Sequence, residues 1–212
     1  TSIVVNQAFV LRIPPSLDPA AAAPLLCAGI TTYSPLRHWK VSSASRVGVV
    51  GLGGLGHMAI KLAHAMGAHV TLFTTSPGKE EDARRLGADA VALTRGGVPT
   101  DLAPINVIID TVSAAHDLNP YLARLDRDGT MVLLGAPPTP HPPVDPRMLF
   151  TRRRSLGGSL IGGLPETQEM LDFCGEHGIV WDIRMVRIQR IEEAYARISR
   201  RDLGYPSLIN NA

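Results

Sequence analysis

Val47-Gly48-Val49-Val50-Gly51-Leu52-Gly53-Gly54-Leu55-Gly56 decides the fold. Its first four residues are short and apolar, as in a buried strand. A Gly-x-Gly-x-x-Gly turn follows, and the stretch from His57 to Met66 continues as a helix. Each glycine has a physical task. Gly51 allows the tight turn, Gly53 lets the backbone approach a pyrophosphate, and Gly56 lets the helix pack close to the strand. The helix start presents unpaired N–H groups and a positive dipole end to phosphates. Gly51, Gly53, Gly54, Leu55 and Gly56 are therefore candidate dinucleotide-binding residues. An ordinary glycine-rich turn of an α/β domain can carry the same letters, so the reading leans on the strand before the turn and the helix after it.

Around this turn the chain alternates strand and helix. Strands are expected near 46–51, 69–74, 90–93, 106–110, 130–135 and 155–161, with helices over 54–66, 79–87, 117–125 and 165–177. Such alternation predicts an α/β fold: a doubly wound, six-stranded parallel Rossmann sheet in the order 3-2-1-4-5-6. Asp128-Gly129 reads as a turn leading into the fifth strand. Ala136 to Pro146 holds six prolines among eleven residues, which excludes helix and central strand and leaves an extended connection. Upstream, Ile3-Val4-Val5 and Phe9-Val10-Leu11 read as strands. Asp18-Pro19 reads as an N-cap with proline at the first helical position, opening a helix over 20–33 that is interrupted at Pro24.

Composition narrows the class. In 212 residues, 45% are hydrophobic and 19% charged, as in a globular chain with a normal core. A net charge of +2 gives no ground for nucleic-acid binding, and the triplet Arg152-Arg153-Arg154 reads as a solvated edge. Cys27 and Cys174 are too few for a disulfide framework or a self-contained zinc cluster. They fit a reduced, cytoplasmic setting. No apolar run approaches the ~18 residues of a membrane span.

The second strand indicates which nucleotide. NAD-binding versions of this fold place a carboxylate about 20 residues past the glycines, on the ribose 2′-hydroxyl. Here His69-Val70-Thr71-Leu72-Phe73-Thr74 runs into Thr75-Ser76-Pro77-Gly78-Lys79, and no Asp or Glu occurs between Gly51 and Lys79. A carboxylate would repel a 2′-phosphate. Thr75, Ser76 and Lys79 would donate to it and balance its charge, so NADP(H) is expected. The competing reading is that Ser76-Pro77 caps the next helix and Lys79 is solvated.

Several stretches together resemble one family. Ala23-Pro24-Leu25-Leu26-Cys27-Ala28-Gly29-Ile30-Thr31-Thr32-Tyr33-Ser34-Pro35-Leu36 is similar to the zinc-dependent medium-chain alcohol dehydrogenases, and most of all to their NADP-dependent, cinnamyl-alcohol-dehydrogenase-like branch. So are the glycine turn with His57, Thr74 to Lys79, Asp110-Thr111-Val112-Ser113, and Gly158-Ser159-Leu160-Ile161-Gly162. The resemblance runs from about Ser2 to Asp202. It implies that Cys27 is one of three protein ligands of a catalytic zinc, whose open position takes a substrate oxygen. It also implies that Thr31, one helical turn on, touches the cofactor. Thr75, Ser76 and Lys79 then form the 2′-phosphate pocket, and Thr111, Leu134, Gly135 and Ser159 line the ribose and nicotinamide side. Judged from its surroundings alone, Cys27 would pass for a buried structural cysteine.

The resemblance also implies residues that the chain lacks. The other zinc ligands come in the family from an upstream Cys and a His-Glu pair in a GroES-like, β-rich catalytic domain. The seven histidines here include no such pair before Cys27, and His57 and His64 read as packing or surface residues. Residues 1–20 are expected to be a remnant of that catalytic domain, 21–200 the NADP-binding domain, and 201–212 an atypical tail in which Pro206 interrupts a ladder. The family implies hydride transfer between NADP(H) and a primary alcohol or aldehyde. With no complete catalytic set, this chain is expected to bind NADP(H) without turnover. A non-catalytic NADP(H)-sensing module and a zinc-independent, quinone-reductase-type oxidoreductase are the alternatives. A homodimer is expected through the edge strand near 150–165.

Overall fold

Val47, Val49, Val50, Val107, Ile108 and Ile109 are all buried. These are continuous apolar runs, not alternating ones, as in central parallel strands covered on both faces. The computed structural model describes residues 3–199 and 207–210. In chain order its elements are α1 (Pro19–Ala22), α2 (Ala28–His38), β1 (Arg46–Val50), α3 (Gly54–Ala65), β2 (His69–Thr74), α4 (Glu80–Arg85), β3 (Ala90–Leu93), β4 (Ile105–Asp110), α5 (Asn119–Leu122), β5 (Leu125–Leu133), α6 (Arg147–Phe150), β6 (Ser155–Gly158), α7 (Leu164–His177), β7 (Arg184–Arg187), α8 (Ile191–Ser199) and β8 (Ser207–Asn210). The chain divides into two units, Ala28–Gly162 and Thr1–Cys27 with Gly163–Ala212.

The first unit holds a six-stranded parallel sheet in the order β3-β2-β1-β4-β5-β6. This is the doubly wound order expected from the glycine turn. Val50, Phe73, Ile105, Ile108, Leu118, Leu122, Leu125 and Met131 pack in one buried cluster. Helix α2 lies against α3 and buries Ile30, Tyr33 and Leu36. It continues past the expected end at Tyr33, through Pro35 to His38. Packing of that buried face outweighs the ~3 kcal/mol that an internal proline costs.

Other boundaries differ from expectation for local reasons. Leu125 pairs with Ile105, which draws residues 125–129 into β5 and leaves α5 with four residues. Asp128-Gly129 is therefore not a turn before the strand. It sits where the register shifts between Ile105 and Val107, with Asp128 at φ +62°. β6 stops at Gly158, short of 161, and Ile161 leaves the strand at φ +45°. The arginine triplet is only partly a solvated edge. Arg154 donates to the carbonyls of Leu125, Met148 and Ala123, while Arg152 and Arg153 face Asp126 and Asp128.

The second unit is organised by α7, which buries Met170, Leu171 and Cys174 and ends at Gly178 in the left-handed conformation. Gln168 clips the N-terminal segment: its Oε1 accepts from the Arg12 amide (2.8 Å) and its Nε2 donates to the Arg12 carbonyl (3.0 Å). The Asp18 cap is formed, its side chain accepting from the Ala20 amide. The strands expected at Ile3–Val5 and Phe9–Leu11 are not formed. Ile3, Val4 and Phe9 are exposed, and a 3₁₀ turn over Gln7–Phe9 takes the second position. β-Branched residues without a partner strand gain no ladder. In the tail, Ser207–Asn210 pairs in parallel with Arg184–Arg187, so a ladder does form there; Pro206 lies outside the described residues.

Candidate functional site

The strand–turn–helix reading places the site at the carboxyl ends of β1 and β4, the two central strands, where the order of a doubly wound sheet reverses. Gly51 turns the chain at φ +87°. A Cβ on Gly56 would stand 2.1 Å from the Gly51 carbonyl oxygen, so α3 touches the end of β1 with no room for a side chain. A Cβ on Gly53 would meet nothing within 4 Å. The first glycine contact is internal packing, and the second is an open cradle. Gly54 and Leu55 open α3 behind Gly53, which caps it without any side-chain bond. The helix start therefore keeps donors for an anion. These residues fit a pyrophosphate.

Thr75, Ser76 and Lys79 follow β2, which lies beside β1. Lys79 Nζ donates to the Leu52 carbonyl at 2.8 Å, which brings the ammonium over the glycine turn. Ser76 stands at the start of a 3₁₀ turn but makes no side-chain capping bond, and Pro77 takes the first position. The Ser76 amide instead donates to Thr74 Oγ1 (3.2 Å). The capping explanation of Ser76 is thus not what the structure shows, and Lys79 is half-buried instead of solvated. No carboxylate competes at the end of β2. The first acids, Glu80, Glu81 and Asp82, begin α4.

From the neighbouring strand, Thr111 Oγ1 donates to the Val50 carbonyl (2.7 Å), tying the end of β4 to the glycine turn. Leu134 and Gly135 leave β5 with their amides donating to the Asp110 carbonyl (2.9 and 3.2 Å). The Ser159 amide donates to the Leu133 carbonyl (3.2 Å) just past β6. Apart from Thr31, the sequence-derived residues of this unit thus follow the ends of the five neighbouring strands β2, β1, β4, β5 and β6. Thr31, on α2, is buried.

A zinc-binding dehydrogenase family matches residues 54–176. The chain belongs to this family. Among its relatives, the aldehyde reductase YahK of Escherichia coli is 56% identical over 99% of this chain and 61% of its own length. The NADP-dependent alcohol dehydrogenase C 1 of Mycolicibacterium smegmatis is 51% identical over 100% of this chain and 61% of its own length. Among solved structures, a cinnamyl alcohol dehydrogenase of Helicobacter pylori complexed with NADP(H) superposes with a TM-score of 0.86 at 37% identity, over 98% of this chain and 59% of that one. SbCAD4, from Sorghum bicolor, gives 0.85 at 42% identity, over 97% and 58%. The chain thus spans about three-fifths of the length of these relatives.

The family's metal is tested by the side chains available. Cys27 is exposed and ends a 3₁₀ turn over Ala23–Leu26 with non-helical φ/ψ, so the continuous helix assumed from Cys27 to Thr31 is not formed. Among the described residues, no three His, Cys, Asp or Glu side chains gather where a metal could sit. Cys27 alone does not make a zinc site, and no step through zinc follows from the residues described. Cys174 is buried with its Sγ 3.6 Å from Met170 Sδ, and burial pushes its thiol up to about 12. It is a core residue.

Sequence reasoning passed over one group. Asp110, His116 and His141 meet beside Thr111, Leu134 and Gly135. The available signal was Asp110 itself, an acid closing the apolar run Val107-Ile108-Ile109.

Proposed function

We propose that this chain is the NADP(H)-binding portion of an aldehyde reductase or alcohol dehydrogenase. In the whole protein, hydride would pass between the nicotinamide and a primary alcohol or aldehyde. The observation that carries the reading is the Lys79 ammonium set over the Leu52 carbonyl, beside an uncommitted Ser76 hydroxyl and an open Gly53. The names of the relatives point the same way. Bound cofactor supplies the hydride donor or acceptor. The chain's residues bind and orient it: Gly53, Gly54 and Leu55 take the pyrophosphate on their amides, and Thr75, Ser76 and Lys79 take the 2′-phosphate. Thr31, Thr111, Leu134, Gly135 and Ser159 line the remainder. The sensing-module and quinone-reductase readings have no observation in their favour.

In this assignment residues 21–200 form the cofactor domain, 1–20 a remnant of the catalytic domain and 201–212 its tail. Cys27 contributes one ligand to a zinc site completed by residues this chain does not supply, so the chain alone does not turn over. Few cysteines suit a cytoplasmic protein. None of the described helices is long and apolar enough to cross a membrane. We also assign a homodimer to the β6 edge, where Phe150, Leu160 and Ile161 are 70%, 82% and 51% exposed. A monomeric mass by light scattering at micromolar concentration would refute the dimer.

The deciding experiment is calorimetric titration with NADPH and with NADH at fixed salt. NADPH preference that Lys79→Ala abolishes supports the assignment. NADH preference would overturn the 2′-phosphate pocket while leaving the fold intact.

A further inference from the structure

Asp110 closes β4 with a side chain only 1% exposed. Its Oδ1 accepts from the Val112 amide at 3.1 Å, while its backbone carbonyl accepts from the amides of Leu134 and Gly135. One residue therefore fixes both the loop leaving β4 and the loop leaving β5. The two backbones cross without clearance, since a Cβ on Gly135 would stand 2.2 Å from the Val112 carbonyl oxygen. Burial, the largest influence, pushes the Asp110 carboxyl above the usual carboxylate range. The Val112 amide and the rings of His116 and His141 pull it partly back.

His116 returns over this carboxylate. Its Nε2 lies 3.4 Å from Asp110 Oδ2, and its Nδ1 lies 2.9 Å from the Ala114 carbonyl. A carbonyl only accepts, so Nδ1 carries a hydrogen whenever that bond exists. The neutral ring then has a bare lone pair at Nε2, which is buried and has no hydrogen-bond partner. Facing an ionised carboxylate, it sets two acceptors against each other. The other neutral tautomer only moves the conflict to Nδ1 and the Ala114 carbonyl, so one added proton, on the ring or on the carboxyl, is what satisfies both contacts.

His141 joins from the proline-rich loop. Its Nδ1 sits 3.1 Å from the His116 carbonyl oxygen and 3.3 Å from the His116 amide nitrogen, and the two rings meet edge to face at 4.9 Å. An Nδ1 that carries a hydrogen donates to the carbonyl and a bare one accepts from the amide, so the tautomer decides which of the two contacts is made. Tyr121 of α5 closes the cluster, edge-on to His116 at 5.7 Å. The nearby Asp117 is engaged elsewhere, accepting from Asn119. Asp110, His116, His141 and Tyr121 are the titratable groups that face one another here.

We propose that Asp110, His116 and His141 are positioning residues that clasp the loop after β4 to the proline-rich loop after β5, Asp110 and His116 sharing one proton and His141 holding the His116 backbone. The clasp fixes Thr111, Leu134 and Gly135, the residues assigned to the cofactor, and so rests on the proposed function for its consequence. With the proton present the loops are held. As it leaves with rising pH, one of the two His116 contacts is lost, the loops loosen and cofactor affinity falls.

The test pairs two measurements on the 212-residue chain. The first is hydrogen exchange at the amides of Val112, Leu134 and Gly135 without cofactor, from about pH 6 to about pH 9 and corrected for intrinsic rates. The second is the NADPH dissociation constant over the same range. His116→Gln serves as the variant that cannot titrate, and it keeps the 2′-phosphate's own titration common to both proteins. In the wild type, protection should fall and the dissociation constant rise by about five- to tenfold across the titration, the scale of ordinary coupling between sites. Both should be flat in His116→Gln beyond the common phosphate effect. Wild-type protection that does not change with pH would overturn the clasp, as would a His116→Gln profile that titrates like the wild type. If NADPH binds nowhere in the range while protection still titrates, the clasp stands and the cofactor assignment falls. NADPH binding with pH-independent protection gives the reverse.

Discussion

Two glycines of one motif should fail in opposite ways. In Gly56→Ala the new Cβ would lie 2.1 Å from the Gly51 carbonyl oxygen and 3.0 Å from its carbon, against about 3.4 Å for ordinary contact. Both contacts are backbone, so helix α3 and the end of β1 must part by more than an ångström. Overpacking of this kind costs about 3 kcal/mol. Alanine returns about 1 kcal/mol of helix propensity. The net loss of about 2 kcal/mol corresponds to a melting temperature lower by about 4–8 °C for a chain of this size. In Gly53→Ala the Cβ meets nothing within 4 Å, and φ −106° suits any residue. Only the N-cap preference is lost, at most about 1 kcal/mol. Its melting temperature should therefore stay within about 4 °C of the wild type. Its Cβ, however, occupies the cradle, so NADPH should bind about tenfold more weakly or worse. Thermal unfolding and calorimetry on both variants decide the matter. A Gly56→Ala protein that melts with the wild type would refute the packing argument. A Gly53→Ala protein with wild-type affinity would refute the cradle.

Three further outcomes follow from burial and charge. Cys27 is exposed and Cys174 is buried with its thiol pushed up to about 12, so a thiol reagent at neutral pH should modify Cys27 in the native chain and reach Cys174 only after denaturation; prompt native modification of Cys174 would contradict the α7 core. The carboxyl of Asp110 is raised in the folded chain, so folding takes up a proton there and stability declines as pH rises from the ordinary carboxylate range through the raised value. Denaturation followed from about pH 4 upward should show the wild type losing ground to Asp110→Asn as pH rises, and the opposite trend would reverse that assignment. The purified chain should reduce no aldehyde with NADPH. Turnover that a chelator abolishes would show that these residues do assemble a metal site.

What could be read from the sequence was local. The glycine turn, the apolar strands and the acid-free stretch after β2 are each contained within a few consecutive residues. That is why the strand order was legible in the sequence. The errors arise where a distant partner overrules a local preference. Leu125 joins β5 because Ile105, twenty residues earlier, offers it a register. Ile3–Val5 forms no strand although its β-branched residues favour one. Helix α2 runs through Pro35 because its buried face lies against α3.

The Asp110 cluster is the extreme case of that rule. His116 and His141 are 25 residues apart, and no periodicity connects them to each other or to Asp110. Their meaning comes from a tautomer: in the neutral ring, a hydrogen on Nδ1 toward the Ala114 carbonyl bares Nε2 toward the acid. A residue string names the titratable groups but not which ring nitrogen meets a carbonyl. A fingerprint can therefore reveal where phosphates bind while leaving silent the groups that hold the surrounding loops. The consequence is that glycine-turn variants and clasp variants should separate in their pH profiles. Gly53→Ala should weaken NADPH by the same factor at every pH, because no proton is involved in the cradle. His116→Gln should differ from the wild type chiefly in how affinity changes with pH. If both variants shifted affinity by a pH-independent factor, Asp110 and its histidines would be ordinary packing and no clasp would exist.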